Sequence, residues 1–312
     1  MIPVYRGLKE VPADFGPCIA AIGNFDGVHR GHAQILGAVV GEARQRGIKS
    51  VAITFEPHPD EFLRPDCAPG LLTPMEDRVR LLAETGLDAV VILHFDQVLA
   101  RLTARQFVEW VLGDALGIAG LHEGGNFRFG HKAEAGVREL AAFGHEFGFN
   151  VTVHNAVHVH GLEVSSSAIR SLVCAGDVRR ARWMLGRPFS IRGTQKRDRG
   201  VGSRLLVPTV NLVPGAGLLA ANGVYITRLH VAGRCFRAVT NVGNRPTFDG
   251  AGFSVESHIL NFEPVEMDEN TPIEIEFLKR LREEKRFDST ESLKAQIMND
   301  VARAGRFFRL AR

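Results

Sequence analysis

Hydrophobic positions in the first half of the chain follow two alternating rhythms. Predominantly apolar stretches at Cys18 to Phe25 ("CIAAIGNF"), 49–55 ("KSVAITF") and 88–95 ("DAVVILHF") have the length of buried strands. Between them, apolar residues recur three and four apart. Ile35, Leu36, Val39, Val40 and Ala43 mark one face of a helix that stops at Gly47. Thr73, Pro74 and Glu76 open a second helix, closing at Gly86. Phe107, Trp110, Val111 and Leu112 form the apolar side of a third. Strands separated by such helices predict βαβ units and a parallel sheet. Ligands bind such sheets outside the carboxyl ends of the strands.

The rhythm changes near "LGRPFSIRG" (185–193). Short strands follow, "GVYITRLHV", "CFRAVTNVG", "FSVESHILNF" and "IEIEFLKRL", separated by turns bearing glycine or proline. This pattern predicts a small antiparallel barrel. Asp288 and Glu291 start a last helix with Leu293, Ile297, Val301 and Phe308 on one face. The expected fold class is therefore α/β with a parallel sheet, followed by an antiparallel β-barrel with a terminal helix. The expected border lies at about Gly186, giving domains 1–186 and 187–312. A chain of 312 residues also exceeds one typical core.

Composition narrows the function. A net charge of +3 is too small to argue for nucleic acid, and no run has the length of a membrane span. Cys18, Cys67, Cys174 and Cys235 are widely spaced, which fits reduced thiols and neither a disulfide frame nor a zinc site. The first residues, "MIPVYRGLKEVPADF", lack a signal-peptide pattern, so a cytoplasmic location is expected. Oligomeric state is not legible.

The stretch "AIGNFDGVHRGH" (21–32) lies where the first buried strand hands over to a helix. A helix N-terminus is a natural phosphate site, and Gly27 and Gly31 let the backbone approach a ligand. His29 and His32 sit one turn apart, where two imidazoles can donate to charge that builds on phosphates. That chemistry is phosphoryl or nucleotidyl transfer, although an H-x-G-H also arises by chance. A third zinc ligand at suitable spacing is missing nearby. Ser165, Ser166 and Ser167 precede a helix bearing Ile169, Arg170 and Leu172. They can simply cap it, or join Arg170 in holding a polyphosphate.

In the second half, Gly200 and Gly202 lead into Thr209 and Asn211. This is either a turn before a strand with polar ends, or a phosphate loop with oxygen ligands for magnesium. Glu256 alternates with Val255 and Ser257 in a strand. It is either an acid directed into the barrel, where it serves as a general base, or a solvent-facing residue. His154, His158 and His160 are expected on one face of a strand, and "TQKRDRG" (194–200) is a basic run that attracts a phosphate-bearing ligand or is merely solvated. Phe127, Phe129 and Phe248 either flank a planar ring of a ligand or belong to the core.

"GNFDGVHRGH", "TFEPHP", "GGNFRFG" and "SSSAIR" stand in the order that resembles the bacterial bifunctional riboflavin kinase/FMN adenylyltransferases, or FAD synthetases. The resemblance covers nearly the whole chain. It implies a Rossmann-like nucleotidyltransferase domain and a flavokinase-type barrel, with ATP, riboflavin and FMN as substrates and Mg2+ as cofactor. By resemblance, His29 and His32 act on ATP phosphates beside Gly23, Asn24, Phe25, Asp26, Gly27 and Gly31. Ser165, Ser166, Ser167 and Arg170 form a second phosphate wall, and Asn126 contacts flavin or nucleotide. Ser167 stands where the family usually has threonine. In the barrel, Thr209 matches a magnesium ligand, Gly200, Gly202 and Asn211 flavin or nucleotide contacts, and Glu256 the catalytic base.

There are departures. The segment "LLVPTVN" places Leu206, Val207 and Val210 where the family has glycine, phenylalanine and alanine. Asp198 replaces a usual glycine, and 268–270 ("DEN") replaces an L-Y-G. They motivate an alternative, an FMN adenylyltransferase whose barrel binds flavin without phosphorylating it. A second alternative keeps nucleotidyl transfer and changes the acceptor, for instance to one that takes a cytidylyl group.

Overall fold

A computed structural model describes residues 2–195, 209–247, 250–261, 265, 268 and 270–310. It divides into two compact units, Met1–Ser166 and Ser167–Arg312.

The first unit is built on a six-stranded parallel sheet. Its strands are β1 (Val4–Arg6), β2 (Cys18–Ile22), β3 (Lys49–Glu56), β4 (Ala89–His94), β5 (Ile118–Gly124) and β6 (Asn150–His154), in the order β1-β4-β3-β2-β5-β6. All five residues of β2 are buried, as expected of a strand covered on both faces. One face packs Ile19, Ala21, Val90 and Ile92 against Leu36, Val39, Val40 and Ala43 of helix α1 (Arg30–Arg46) and Leu82 of α2 (Met75–Ala83). The other packs Ala20, Ile22, Val51 and Val91 against Phe107, Val108, Val111, Leu112 and Leu140, the last from α3 (Val137–Phe147).

Chain direction reverses between β2 and β5. From β2 the chain moves outward through β3 to β4, and from β5 it moves the other way to β6. The crevice at their carboxyl ends is the topological switch point, where sheets of this kind bind ligands.

Several local expectations change. The segment with Trp110 is π-helical over Phe107–Ala115, which leaves Trp110 48% exposed rather than on the apolar side. Strand β6 ends at His154, and His158 belongs to a separate hairpin of two-residue strands, so the three histidines do not share one strand face.

The second unit holds helices α4 (Ser166–Cys174, beginning one residue earlier) and α5 (Val178–Leu185), then a closed six-stranded barrel. Its strands are β7 (Phe189–Gln195), β8 (Thr209–Pro214), β9 (Gly223–Val231), β10 (Arg234–Thr247), β11 (Gly250–Ile259) and β12 (Pro272–Arg282). They close in the antiparallel order β7-β8-β11-β10-β9-β12. Tyr225, Thr227, Leu229, Val242, Ile273, Ile275 and Phe277 are fully buried and alternate inward. The terminal helix α6 (Thr290–Leu310) covers the outer face at Val224, Ile226, Val239 and Leu278 with Ala304 and Phe308. Leu293, expected on that face, is 40% exposed, and Ser289 rather than Asp288 caps the helix by accepting the Ser292 N–H. Arg282 and the buried Asp300 form a part-buried ion pair at 2.9 Å beneath it.

Helices α4 and α5 group with the barrel, since Val173 accepts the N–H of Ala221 at 3.2 Å and a side chain at Gly176 would strike Arg280 and Tyr225.

Candidate active sites

The first site grows from the end of β2. Gly23 donates to the Ile53 carbonyl at 3.0 Å, and the chain then leaves the sheet. Asn24 lies 3.0 Å from the ring of His58, a residue the sequence reading did not single out although it stands in "TFEPHP". Phe25 (φ 46°) and Val28 (φ 35°) both adopt positive φ around Gly27 (φ 87°). Each such non-glycine residue costs about 1–3 kcal/mol, a strain that characteristically gathers at functional loops.

Asp26 holds this shape. Its carboxylate is fully buried and accepts the N–H groups of Leu72 (3.0 Å) and Thr73 (2.8 Å) and the Thr73 hydroxyl (3.1 Å). The buried guanidinium of Arg78 lies 3.9 Å away, and Gly27 donates to Thr73 Oγ1 at 2.9 Å. Asp26 therefore shapes the loop and turns its charge inward.

His29 caps α1. Its Nδ1 accepts the N–H of His32 at 3.3 Å, so a neutral ring carries its proton on Nε2. The His29 and His32 rings stack with centroids 3.6 Å apart and planes 15° apart, and Phe25 meets His32 edge-on at 5.2 Å. Gly31 makes room for the stack, because a Cβ there would lie 3.1 Å from His29 Cε1. Two imidazoles thus sit together at a helix N-terminus, the arrangement that stabilises charge developing on phosphate oxygens.

Residues 164–166 lie against the same loop. Ser166 donates to the Asp26 carbonyl at 2.7 Å, and the Val164 carbonyl is 3.9 Å from where a Gly31 Cβ would stand. Ser165 is half-buried, whereas Ser167 and Arg170 belong to the second compact unit. Asn126 is exposed in the loop after β5, with its Oδ1 close over Gly124. Phe127 stacks on the buried Phe129 at 5.4 Å.

A side cluster accounts for His154. His122 lies 3.0 Å from His154 and 2.8 Å from Glu42 of α1. Burial and the neighbouring His122 hold His154 below its ordinary value. Burial raises the Glu42 carboxyl, but hydrogen bonds from His122 and Arg46 outweigh it and leave the group lowered.

The second site lies on the outside of the barrel. Asn211 pairs in register with Glu256, Thr209 with His258, and Glu256 with Asn241 on the other flank. Registered partners share a face, so Thr209, Asn211, Asn241, Glu256 and His258 gather on one surface. Of the two readings left open for Glu256, the one directed into the barrel is overturned and the outward-facing one holds. Val255 (1% exposed) and Ser257 (0%) take the interior. The interior accepts Ser257 because Thr227, Thr240 and Ser257 form a buried hydroxyl chain with spacings of 2.7 and 2.8 Å. Ser254, also overlooked in the sequence, donates to Glu256 Oε1 at 2.8 Å. Burial lowers His258. Gly200, Gly202, Asp198, Leu206, Val207 and Phe248 lie outside the described residues.

Thr209 and Asn211 offer hydroxyl and amide oxygens, the hard donors magnesium takes. No group of three or more His, Cys, Asp or Glu able to hold a metal occurs among the described residues. A few protein oxygens completed by substrate phosphates suit magnesium better than a dedicated cage.

The architecture defines a class: an α/β domain of nucleotidyltransferase type joined to an antiparallel barrel of flavokinase type. Family models agree, with FAD synthetase matching residues 11–168 and riboflavin kinase residues 185–308. A bifunctional riboflavin kinase/FMN adenylyltransferase from Pseudomonas fluorescens is 37% identical over 300 residues, covering 96% of both chains. One from Escherichia coli K12 is 35% identical over 309 residues, covering 98% of this chain and 97% of the other. A crystal structure from Streptococcus pneumoniae, described as a macrolide-efflux protein, matches with TM-score 0.87 and 26% identity over 96% of this chain and 98% of that one. That likeness concerns architecture, and no helix among the described residues is long and apolar enough to cross a membrane. The chain belongs to the bifunctional riboflavin kinase/FMN adenylyltransferase family. It carries both enzyme domains, with ATP, riboflavin and FMN as the family's substrates.

Proposed function

We propose that the His29/His32 loop performs adenylyl transfer and the Thr209–Asn211–Glu256 face performs the kinase step. The observation that carries this reading is the stacking of His29 and His32 at the N-terminus of α1 beside the switch-point crevice. At the first site a phosphate oxygen of FMN attacks the α-phosphorus of ATP, and the bond to the bridging oxygen breaks to release pyrophosphate. The imidazole N–H groups and the main chain of residues 23–31 stabilise the leaving charge. Ser165, Ser166 and Asn126 complete the binding of nucleotide and flavin in this reading.

At the second site Glu256 takes the proton of the ribityl 5′-hydroxyl as its oxygen attacks the γ-phosphorus, and ADP leaves. Thr209 and Asn211 would hold magnesium, which neutralises charge on the transferring phosphates. The Ser254 hydroxyl steadies one Glu256 oxygen. The functional border is placed near Gly186, and both reactions in the cytoplasm, in line with four free cysteines. A barrel that binds flavin without phosphorylating it is disfavoured by the riboflavin kinase match.

The test is chromatography of flavins after incubation with ATP and magnesium, using riboflavin and FMN as separate substrates. Riboflavin is expected to give FMN and then FAD. His29→Ala is expected to stop at FMN, with FAD formation down by about 100-fold or more. FAD from FMN only would refute the kinase step. FAD formation that survives His29→Ala would refute the first site.

A further inference from the structure

Strands β2 and β5 do not stay paired to their carboxyl ends. Their register runs Cys18↔Ile118, Ile19↔Gly120, Ala20↔Leu121 and stops. The outer neighbours continue, β2 with β3 to Ile22↔Ile53 and β5 with β6 to Gly124↔His154. The next N–H on the β5 side of β2, that of Ile22, donates to the carboxyl oxygen Oε1 of Glu123 at 2.7 Å. A side-chain oxygen thus stands where a strand carbonyl would be, and the two backbones part. Glu123 is 3% exposed. Immediately beyond it the chain continues through Gly124, Gly125 and Asn126 after Glu123, and through Gly23 and Asn24 after Ile22.

We propose that Glu123 is a positioning residue for adenylyl transfer. Its carboxyl is the spacer that splays β2 from β5 and sets the separation of the His29/His32 loop from the Asn126 loop. The proposal rests on the reading that these loops form the adenylyl-transfer site. Side-chain length is the operative property, since one methylene less draws the strands together or breaks the bond to Ile22. The amide of glutamine has the same reach and the same accepting oxygen. A buried carboxyl kept for core stability alone would not discriminate between flavin and nucleotide affinity.

The experiment uses the full chain with Glu123→Asp and Glu123→Gln, measuring KM and kcat for FMN and ATP in FAD formation. FMN formation from riboflavin in the same preparations reports folding. The expected result is a KM for FMN about tenfold higher in Glu123→Asp, the scale of one lost buried hydrogen bond, with kcat less affected. Glu123→Gln is expected to stay within about twofold of the native KM, and both variants to keep FMN formation. A native KM in Glu123→Asp overturns the proposal, as does an equal loss in both variants. His29→Ala is run alongside, because FAD formation unaffected by that change would remove the site reading and the proposal with it.

Discussion

At the residue scale, the first site depends on where side chains are missing as much as on where they stand. Gly31 is helical, and alanine there would ordinarily favour the helix by roughly 0.5–1 kcal/mol. Yet a Cβ would lie 3.1 and 3.2 Å from His29 Cε1 and Nδ1. Gly31→Ala is therefore expected to keep or raise thermal stability while lowering FAD formation by about tenfold, a change of about 1.4 kcal/mol in the barrier. Steady-state kinetics and a melting curve on one preparation would check both parts. Glu256→Gln keeps the size of the side chain and removes the base. It is expected to reduce FMN formation from riboflavin by about 100-fold or more while FAD formation from FMN persists. Equal loss of both activities would contradict separate sites. In the sequence, H-x-G-H spacing brought His29 and His32 to notice, because helical geometry relates residues three apart. His58 and Ser254 were not singled out, because their partners Asn24 and Glu256 meet them through the fold or through an interaction too common to read from spacing.

At the element scale, the barrel interior is polar in one place. Thr240 is the middle member of the buried Thr227–Thr240–Ser257 chain across β9, β10 and β11. Replacing it with valine strands two hydroxyls, at a cost of about 1–3 kcal/mol each if neither finds a new partner. Thr227→Val strands none, because Thr240 keeps its bond to Ser257. Urea unfolding is expected to rank Thr240→Val below Thr227→Val in midpoint, and the reverse order would show that the end hydroxyls have other partners. This chain also explains why the sequence left the facing of Glu256 open. Alternation along "SVESHI" states that Glu256 and Ser257 face opposite ways but not which one is inside. Closure of six strands decided it, by giving Ser257 hydroxyl neighbours on the inside.

At the scale of the whole molecule, stability should carry the mark of Glu123. Burial pushes its carboxyl well above the ordinary 4.5, against a smaller lowering by the Ile22 N–H. The folded chain thus keeps a proton that the unfolded chain releases once the pH passes about 4.5. Between that pH and the raised folded value, stability falls as pH rises, because the native state binds more protons than the unfolded state. Glu123→Gln removes this contribution. Melting temperatures of the full chain, followed from pH 5 upward, are expected to fall less steeply in Glu123→Gln than in the native protein. Identical slopes would mean that the carboxyl is ionised in the fold. A lowered group such as Glu42 contributes in the opposite sense in both proteins and cancels in the comparison.

The amino-acid sequence by itself determined the sequence-local properties. Apolar runs and helical spacing marked β2, β3, β4 and α1, since burial imposes a period that each segment carries alone. The change of rhythm after residue 185 announced the barrel, and short motifs identified the family. Tertiary structure alone decided what depends on distant residues. The pairing order β1-β4-β3-β2-β5-β6 created the switch point, and only that order brings Glu123 to Ile22 across 101 positions. Likewise the register of β8, β11 and β10 set Asn211 and Asn241 on either side of Glu256. Strand pairing is a choice among partners of similar local propensity, and long-range packing and hydrogen bonding make that choice.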